Sequence, residues 1–151
     1  MNIVNLITVP NFSTMLAKWH HEEWSYLNPS LSLTQRIKKM ENYFAEDFIP
    51  TTYVALDTEV LGSAAIVESD MDTHKHFTPW LASVYVNPSK RGQGIGSKLV
   101  EHVMCEAKKN GVKKLYLFTP DQAKFYEKLG WQLMFKETYH DHEVFVMSVL
   151  L

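Results

Sequence analysis

Three glycines fall within five residues, at Gly92, Gly94 and Gly96, between the apolar run Trp80–Val86 (WLASVYV) and a segment where Ile95, Leu99, Val103 and Ala107 recur every four residues. This pattern predicts strand, loop and amphipathic helix in that order. Inside a helix each glycine costs about 0.8 to 1 kcal/mol relative to alanine, so the cluster implies tight backbone turns or close approach by a ligand. Without Cβ atoms, successive amides can turn inward, and the helix N-terminus adds about half a positive charge. The segment 91–97 (RGQGIGS) is thus a pocket for a diphosphate. Two common phosphate motifs do not fit: G-x-G-x-x-G from Gly92 puts its third glycine on Ser97, and the P-loop's closing Gly-Lys-Ser/Thr is missing.

The remaining elements follow from periodicity and turn residues. Residues 2–8 alternate weakly and end at Pro10. A helix from Asn11 or Ser13 runs to Asn28-Pro29, and a second begins at the capping-box pair Ser32/Gln35 with Leu33, Ile37, Met40 and Phe44 on one face. Residues 51–56 and 60–68 form a hairpin around a polar link, and residues 70–78 form a loop. After the glycine loop and its helix come a strand over 113–119, a short helix over 121–129 stopped by Gly130, and two closing strands, the last over 144–150. The order β-α-α-β-β-β-α-β-α-β-β predicts an α/β fold: one domain over residues 1–151, with a mixed sheet of about seven strands flanked by four helices on both faces.

Composition narrows the function. A net charge of −2 with scattered basic residues supplies no field for a polyanion, which argues against nucleic acid. No apolar run approaches the roughly twenty residues a membrane helix needs, and the start of the chain lacks a signal-peptide pattern. The lone Cys105 permits no intrachain disulfide, so a cytoplasmic setting is expected, and the side chain is read as a small, buried or half-buried packing group. The histidine pairs 20/21, 74/76 and 140/142 are incomplete ligand sets, and no metal is expected.

Arg91, Gly94 and Gly96 fit R-x-x-G-x-G after a strand ending Val86-Asn87-Pro88, and Phe125-Tyr126 followed by Gly130-Trp131 lies about thirty residues on. Together these resemble the coenzyme-A signature and the F-Y-x-x-x-G-F/W stretch of the GCN5-related N-acetyltransferases, over roughly a third of the chain. The resemblance implies acetyl-CoA as cosubstrate and transfer to a primary amine, a small-molecule amine in preference to a protein one, by direct attack in a ternary complex; it also makes a homodimer plausible. It implies cofactor contacts from Val84, Tyr85 and Val86 in strand-like pairing with the pantetheine arm, and from Arg91, Gly92, Gln93, Gly94, Ile95, Gly96 and Ser97. Where many members carry an asparagine this chain has Thr119, whose hydroxyl is the candidate substitute.

By the same resemblance Tyr126 is the general acid for the departing thiolate, against a purely structural reading as a core tyrosine. A lysine-like amine with pKa near 10.4 is about one part in a thousand neutral at pH 7.4, so a base is required. Glu68 and Asp70 are the candidates, with Asp72, His74 and His76 nearby. Trp24, Trp80 and Tyr139 are candidate walls of an acceptor pocket. Acidic residues 22, 23, 68, 70 and 72 would favour a cationic acceptor if they converged on one cleft. Two other functions fit the glycine loop: an idle acetyl-CoA-binding sensor, and a binder of another nucleotide diphosphate.

Overall fold

The computed structural model describes residues 1–42, 44 and 47–151. Strand β1 (Asn2–Asn5) is shorter than periodicity suggests. The Asn5 side chain accepts the Ile7 N–H at 3.0 Å and turns the chain into a 3-10 turn over Leu6–Thr8. Helix α1 (Ser13–Trp24) follows a 3-10 turn over Pro10–Phe12 and ends in another, Ser25–Leu27. Helix α2 (Leu33–Glu41) starts at the expected capping box: Gln35 N–H donates to Ser32 Oγ, and Ser32 N–H donates to Gln35 Oε1 at 2.8 Å. Then follow β2 (Thr51–Leu56), β3 (Val60–Val67), β4 (Trp80–Val86), α3 (Ile95–Lys109), β5 (Lys114–Thr119), α4 (Ala123–Lys128), β6 (Gln132–Tyr139) and β7 (His142–Leu150).

The strands form one seven-stranded sheet in the order β1-β2-β3-β4-β5-β7-β6, antiparallel except for β4 beside β5. Alternation sorts the side chains. Tyr53, Leu81, Leu117 and Met147 face α3 and α4, whereas Val54 packs with Leu16 and Met40 of α1 and α2. At the other end of that second face the 70–78 loop takes the place of a helix. Its Met71 and Phe77 cover Trp80, Ala82, Val144 and Val146. With both faces covered, β3 is buried along its whole length and reads as an apolar run rather than an alternation. Cys105 is exposed, contrary to expectation, because it falls off the Ile95-Leu99-Val103-Ala107 stripe of α3. Among the described residues no helix is long and apolar enough to cross a membrane.

Two irregularities create the site. β4 and β5 meet at a single pair, Trp80 with Tyr116, and beyond it no residue of β4 pairs with β5, so the strands diverge and leave a wedge. On its other edge β4 carries one extra residue: Ser63 sits opposite Tyr85, yet Ala65 sits opposite Ala82. Ser83, within this bulge, has φ of +53°. Bulges re-aim backbone groups, and here the bulge lies beside the open wedge.

Candidate active site

The wedge opens into a cleft of about 670 Å³, within the range of small-molecule sites. One end is the loop the sequence singled out. Gly92 and Gly94 have φ of +81° and +78°, and a Cβ built on either meets nothing within 4 Å, so these turns leave an open cradle. Among the described residues no backbone hydrogen bond uses the amides of residues 91–97; the Lys98 N–H, bonded to the Gly94 carbonyl at 3.2 Å, is the first engaged. Free amides at the start of a fifteen-residue helix fit a pyrophosphate. The unpaired edge of β4, with Val84, Tyr85 and Val86 lining the cleft, fits an extended arm laid beside it like an added strand.

The Arg91 side chain folds back along β4 while staying half exposed. Its Nε donates to the Val86 carbonyl at 2.9 Å, its guanidinium lies 5.4 Å from the centre of the Tyr85 ring, and it reaches Glu23 at 3.7 Å. This geometry favours support of the loop over direct pairing with a phosphate as the part Arg91 plays. Ile95, Gly96 and Ser97 line the cleft, whereas Gln93 is exposed and does not. Thr119 lines it too, but its Oγ1 already accepts the Gln122 N–H at 3.0 Å and the Asp121 N–H at 3.4 Å. That oxygen caps the turn into α4, which leaves only its O–H for a ligand.

The other end holds the two ionisable groups with the clearest chemistry. Asp70 lines the cleft half-buried, and desolvation pushes its carboxyl up to about 6 despite the charges of Lys39 and Arg36 pulling it down. Tyr126, on α4, is buried at the wall of the same cleft, and burial, then Asp70 and Asp121, raise its phenol well above the usual tyrosine range. The phenol is therefore a standing proton donor. Trp24 and Tyr139 also line the cleft. The Tyr139 hydroxyl accepts the Asp72 N–H at 3.0 Å, which ties the acidic loop to the end of β6.

Two further residues that the sequence suggested for the site lie outside the cleft. Trp80 does not reach the cleft: it is fully buried on the far face among Phe77, Tyr116 and Phe118, with its Nε1–H donated to the Phe77 carbonyl at 2.5 Å. Its position in the strand sends it away from Leu81, which does line the cleft. Glu68 is exposed at the end of β3 and lies outside the lining, because the loop turns inward only after it and brings in Asp70 instead.

Sequence reasoning also missed three features. His20, fully buried, contacts Ser63 Oγ at 2.9 Å, and that hydroxyl donates to the Ser83 carbonyl at 3.0 Å, bracing the bulge. Burial, with a smaller push from Arg36, lowers the imidazole to about 3, so it is neutral and Nε2 carries the donated proton. His140 places Nδ1 at 2.7 Å from the Leu27 carbonyl and Nε2 at 2.7 Å from the Asp72 carboxylate. Two acceptors call for both ring protons, and the bonds to Asp72 and then Leu27 raise its pKa accordingly. This clasp joins the end of α1, the acidic loop and the β6–β7 turn. The third feature is the pair Arg36 and Lys39, which α2 delivers to the cleft. Only three-residue spacing on a helix hinted at that face, and many exposed pairs share it.

A helix N-terminus whose amides are unengaged among the described residues, set in a wedge between two parallel strands, has the donors and the shape to fit a pyrophosphate and an extended arm. The family described as the acetyltransferase (GNAT) domain matches residues 49–133, more than half of the chain. The chain belongs to the GNAT family of acetyltransferases. A Schizosaccharomyces pombe relative, N-alpha-acetyltransferase 30, is 28% identical over 98 residues, which is 62% of this chain and 65% of that protein, so the chain spans just under two thirds of that relative's length. Among solved structures, an aminoglycoside 6'-N-acetyltransferase complexed with coenzyme A superposes with a TM-score of 0.79 at 17% identity, over 99% of this chain and 97% of that one. An acetyltransferase from Streptococcus agalactiae superposes with a TM-score of 0.72 at 22% identity, over 99% of this chain and 98% of that one. At such identities the likeness is one of fold.

Proposed function

We propose that this protein transfers an acetyl group from acetyl-CoA to the primary amine of a small molecule, with both substrates bound at once. The observation that carries the reading is the row of unengaged amides at residues 91–97, opening into the same cleft as Asp70 and Tyr126. Coenzyme A in the superposable aminoglycoside acetyltransferase adds support. A small acceptor is favoured over a protein one because the His140 clasp draws three segments together beside Leu27 and Tyr139, both of which line the cleft. The lone thiol is the ground for assigning the reaction to the cytoplasm.

Bound acetyl-CoA supplies the activated acyl carbon as a thioester. Glycine-loop amides hold the diphosphate, and β4 aligns the arm with the wedge. Asp70, ionised at neutral pH yet poorly solvated, takes the ammonium proton directly or through one water. The bulge at Ser83 re-aims β4 amides beside the gap, where they polarise the acyl oxygen. As the N–C bond forms and the C–S bond breaks, Tyr126 gives its proton to sulfur and recovers one from the amine nitrogen through solvent. The balance is one ammonium and one thioester consumed, and one amide, one thiol and one proton released.

Calorimetry with acetyl-CoA tests the reading. The wild type should bind with a Kd on the micromolar scale. Gly94→Ala should lose about tenfold in affinity or more, because its new methyl enters the cradle, while left-handed backbone costs the fold only about 1–2 kcal/mol. Tighter binding of NAD or ATP than of acetyl-CoA would replace this function with that of a different nucleotide site.

A further inference from the structure

His20 is a buried histidine that the proton transfers leave without a part, and it stands behind a strained residue of the cleft wall. Ser83 lines the cleft at φ of +53° although it carries a side chain, a conformation that persists only where the surroundings hold it. The sheet ladder does not supply that hold. Ser83 and Val84 together stand opposite the single residue Ala64, and neither belongs to a register pair with β3.

Side chains supply it instead, as a directional chain. The single proton of Ser63 Oγ goes to the Ser83 carbonyl at 3.0 Å, so the same oxygen accepts from Nε2 of the neutral His20 at 2.9 Å. Both residues are buried, and the ring centres of Trp24 and Tyr85 lie 5.3 and 6.0 Å from that of His20. Away from solvent, each bond of such a chain strengthens the next. The peptide between Ser83 and Val84 is trans and planar, so its C=O and N–H point in opposite directions. Anchoring the carbonyl on Ser63 of β3 therefore turns the Val84 N–H away from β3. On that side of β4 lies the wedge toward β5, where Val84 lines the cleft.

We infer that His20 and Ser63 are positioning residues for acetyl transfer: through the Ser83 carbonyl they aim the Val84 N–H at the acyl oxygen of acetyl-CoA. The inference rests on the acetyltransferase reading and adds to it the two residues that set the angle of the polarising amide. Neither touches the reacting atoms and no proton passes along the chain, so the balance of the transfer is unchanged.

The test is infrared difference spectroscopy of acetyl-CoA, isotopically labelled at the acetyl carbonyl and bound to the full chain, with calorimetry alongside. A hydrogen bond to the acyl oxygen weakens its C=O bond, so the wild-type band should lie below that of free acetyl-CoA. Ser63→Ala and His20→Leu should lose most of that shift while the Kd for acetyl-CoA stays within a few-fold. Ser63→Thr keeps the hydroxyl and should keep the shift. Thiol release with kanamycin, spermidine and phenethylamine offered as acceptors should fall about tenfold or more in kcat in Ser63→Ala, with KM for acetyl-CoA within a few-fold. Melting temperatures check that each variant is folded. If Ser63→Ala is not, Ser63→Cys takes its place, with a side chain of similar size and only a weak donor. A shift that survives in the folded Ser63 and His20 variants, a wild-type band no lower than that of free acetyl-CoA, or an affinity that falls as far as kcat overturns the inference alone. No binding of acetyl-CoA to the wild type overturns the acetyltransferase reading along with it.

Discussion

Replacing Asp70 with asparagine should make the protein more stable and nearly inactive. The carboxyl is pushed up from 3.8 to about 6 in the folded state. Two pKa units at 1.36 kcal/mol each mean that ionising Asp70 in the fold costs about 3 kcal/mol at neutral pH. The sign follows from proton binding: between pH 3.8 and 6 the native state holds the proton more tightly than the unfolded chain. Asp70 therefore detracts nothing below pH 3.8, and its penalty grows until pH 6, then stays constant. Asparagine is never ionised and escapes it. For a domain of this size, about 3 kcal/mol corresponds to a rise in Tm of about 6–12 °C at pH 7.5. Calorimetric scans at pH 7.5 and pH 4 are the assay, with the gain expected at the first and absent at the second. A gain that persists at pH 4, or none at pH 7.5, would refute the desolvation argument. Turnover should fall by about 10²- to 10⁴-fold if the residue is the base.

Two further outcomes follow from the buried groups. His20 is neutral in the fold with its pKa at about 3, while the unfolded chain takes up a proton near 6.5, so its contribution is complete above pH 6.5 and is lost as pH falls toward 3. His20→Gln should flatten that acid limb in denaturation curves taken across pH 3 to 7; an unchanged limb would assign the acid sensitivity elsewhere. Tyr126→Phe should cut turnover about 10²-fold or more while leaving acetyl-CoA affinity within a few-fold by calorimetry, and equal turnover would leave Tyr126 with packing alone.

The cofactor end was legible because local rules specify it. Glycine clustering, a four-residue apolar period and a strand ending at Pro88 are each set by neighbours in sequence, and the 91–97 cradle sits where they put it. The capping box of α2 was legible for the same reason. Failures came at the other end. Trp80 and Leu81 are adjacent, equally apolar and equally suited to a strand, and which of them faces the cleft depends on which face of the sheet the glycine loop and its helix cover.

Thus the order of elements and the open glycine turns at 91–97 were legible in the sequence alone, through spacing that acts over a few residues, and Tyr126 was singled out by its resemblance to a family motif. Only the tertiary structure decided that Asp70 rather than Glu68 enters the cleft, that β4 bulges at Ser83, that His20 and His140 act as braces, and that α2 brings Arg36 and Lys39 to the cleft within reach of Asp70. Each of these depends on residues from 20 to 113 positions apart meeting across the fold, and in several the burial created by that meeting sets the charge state. A linear pattern carries no record of such distances.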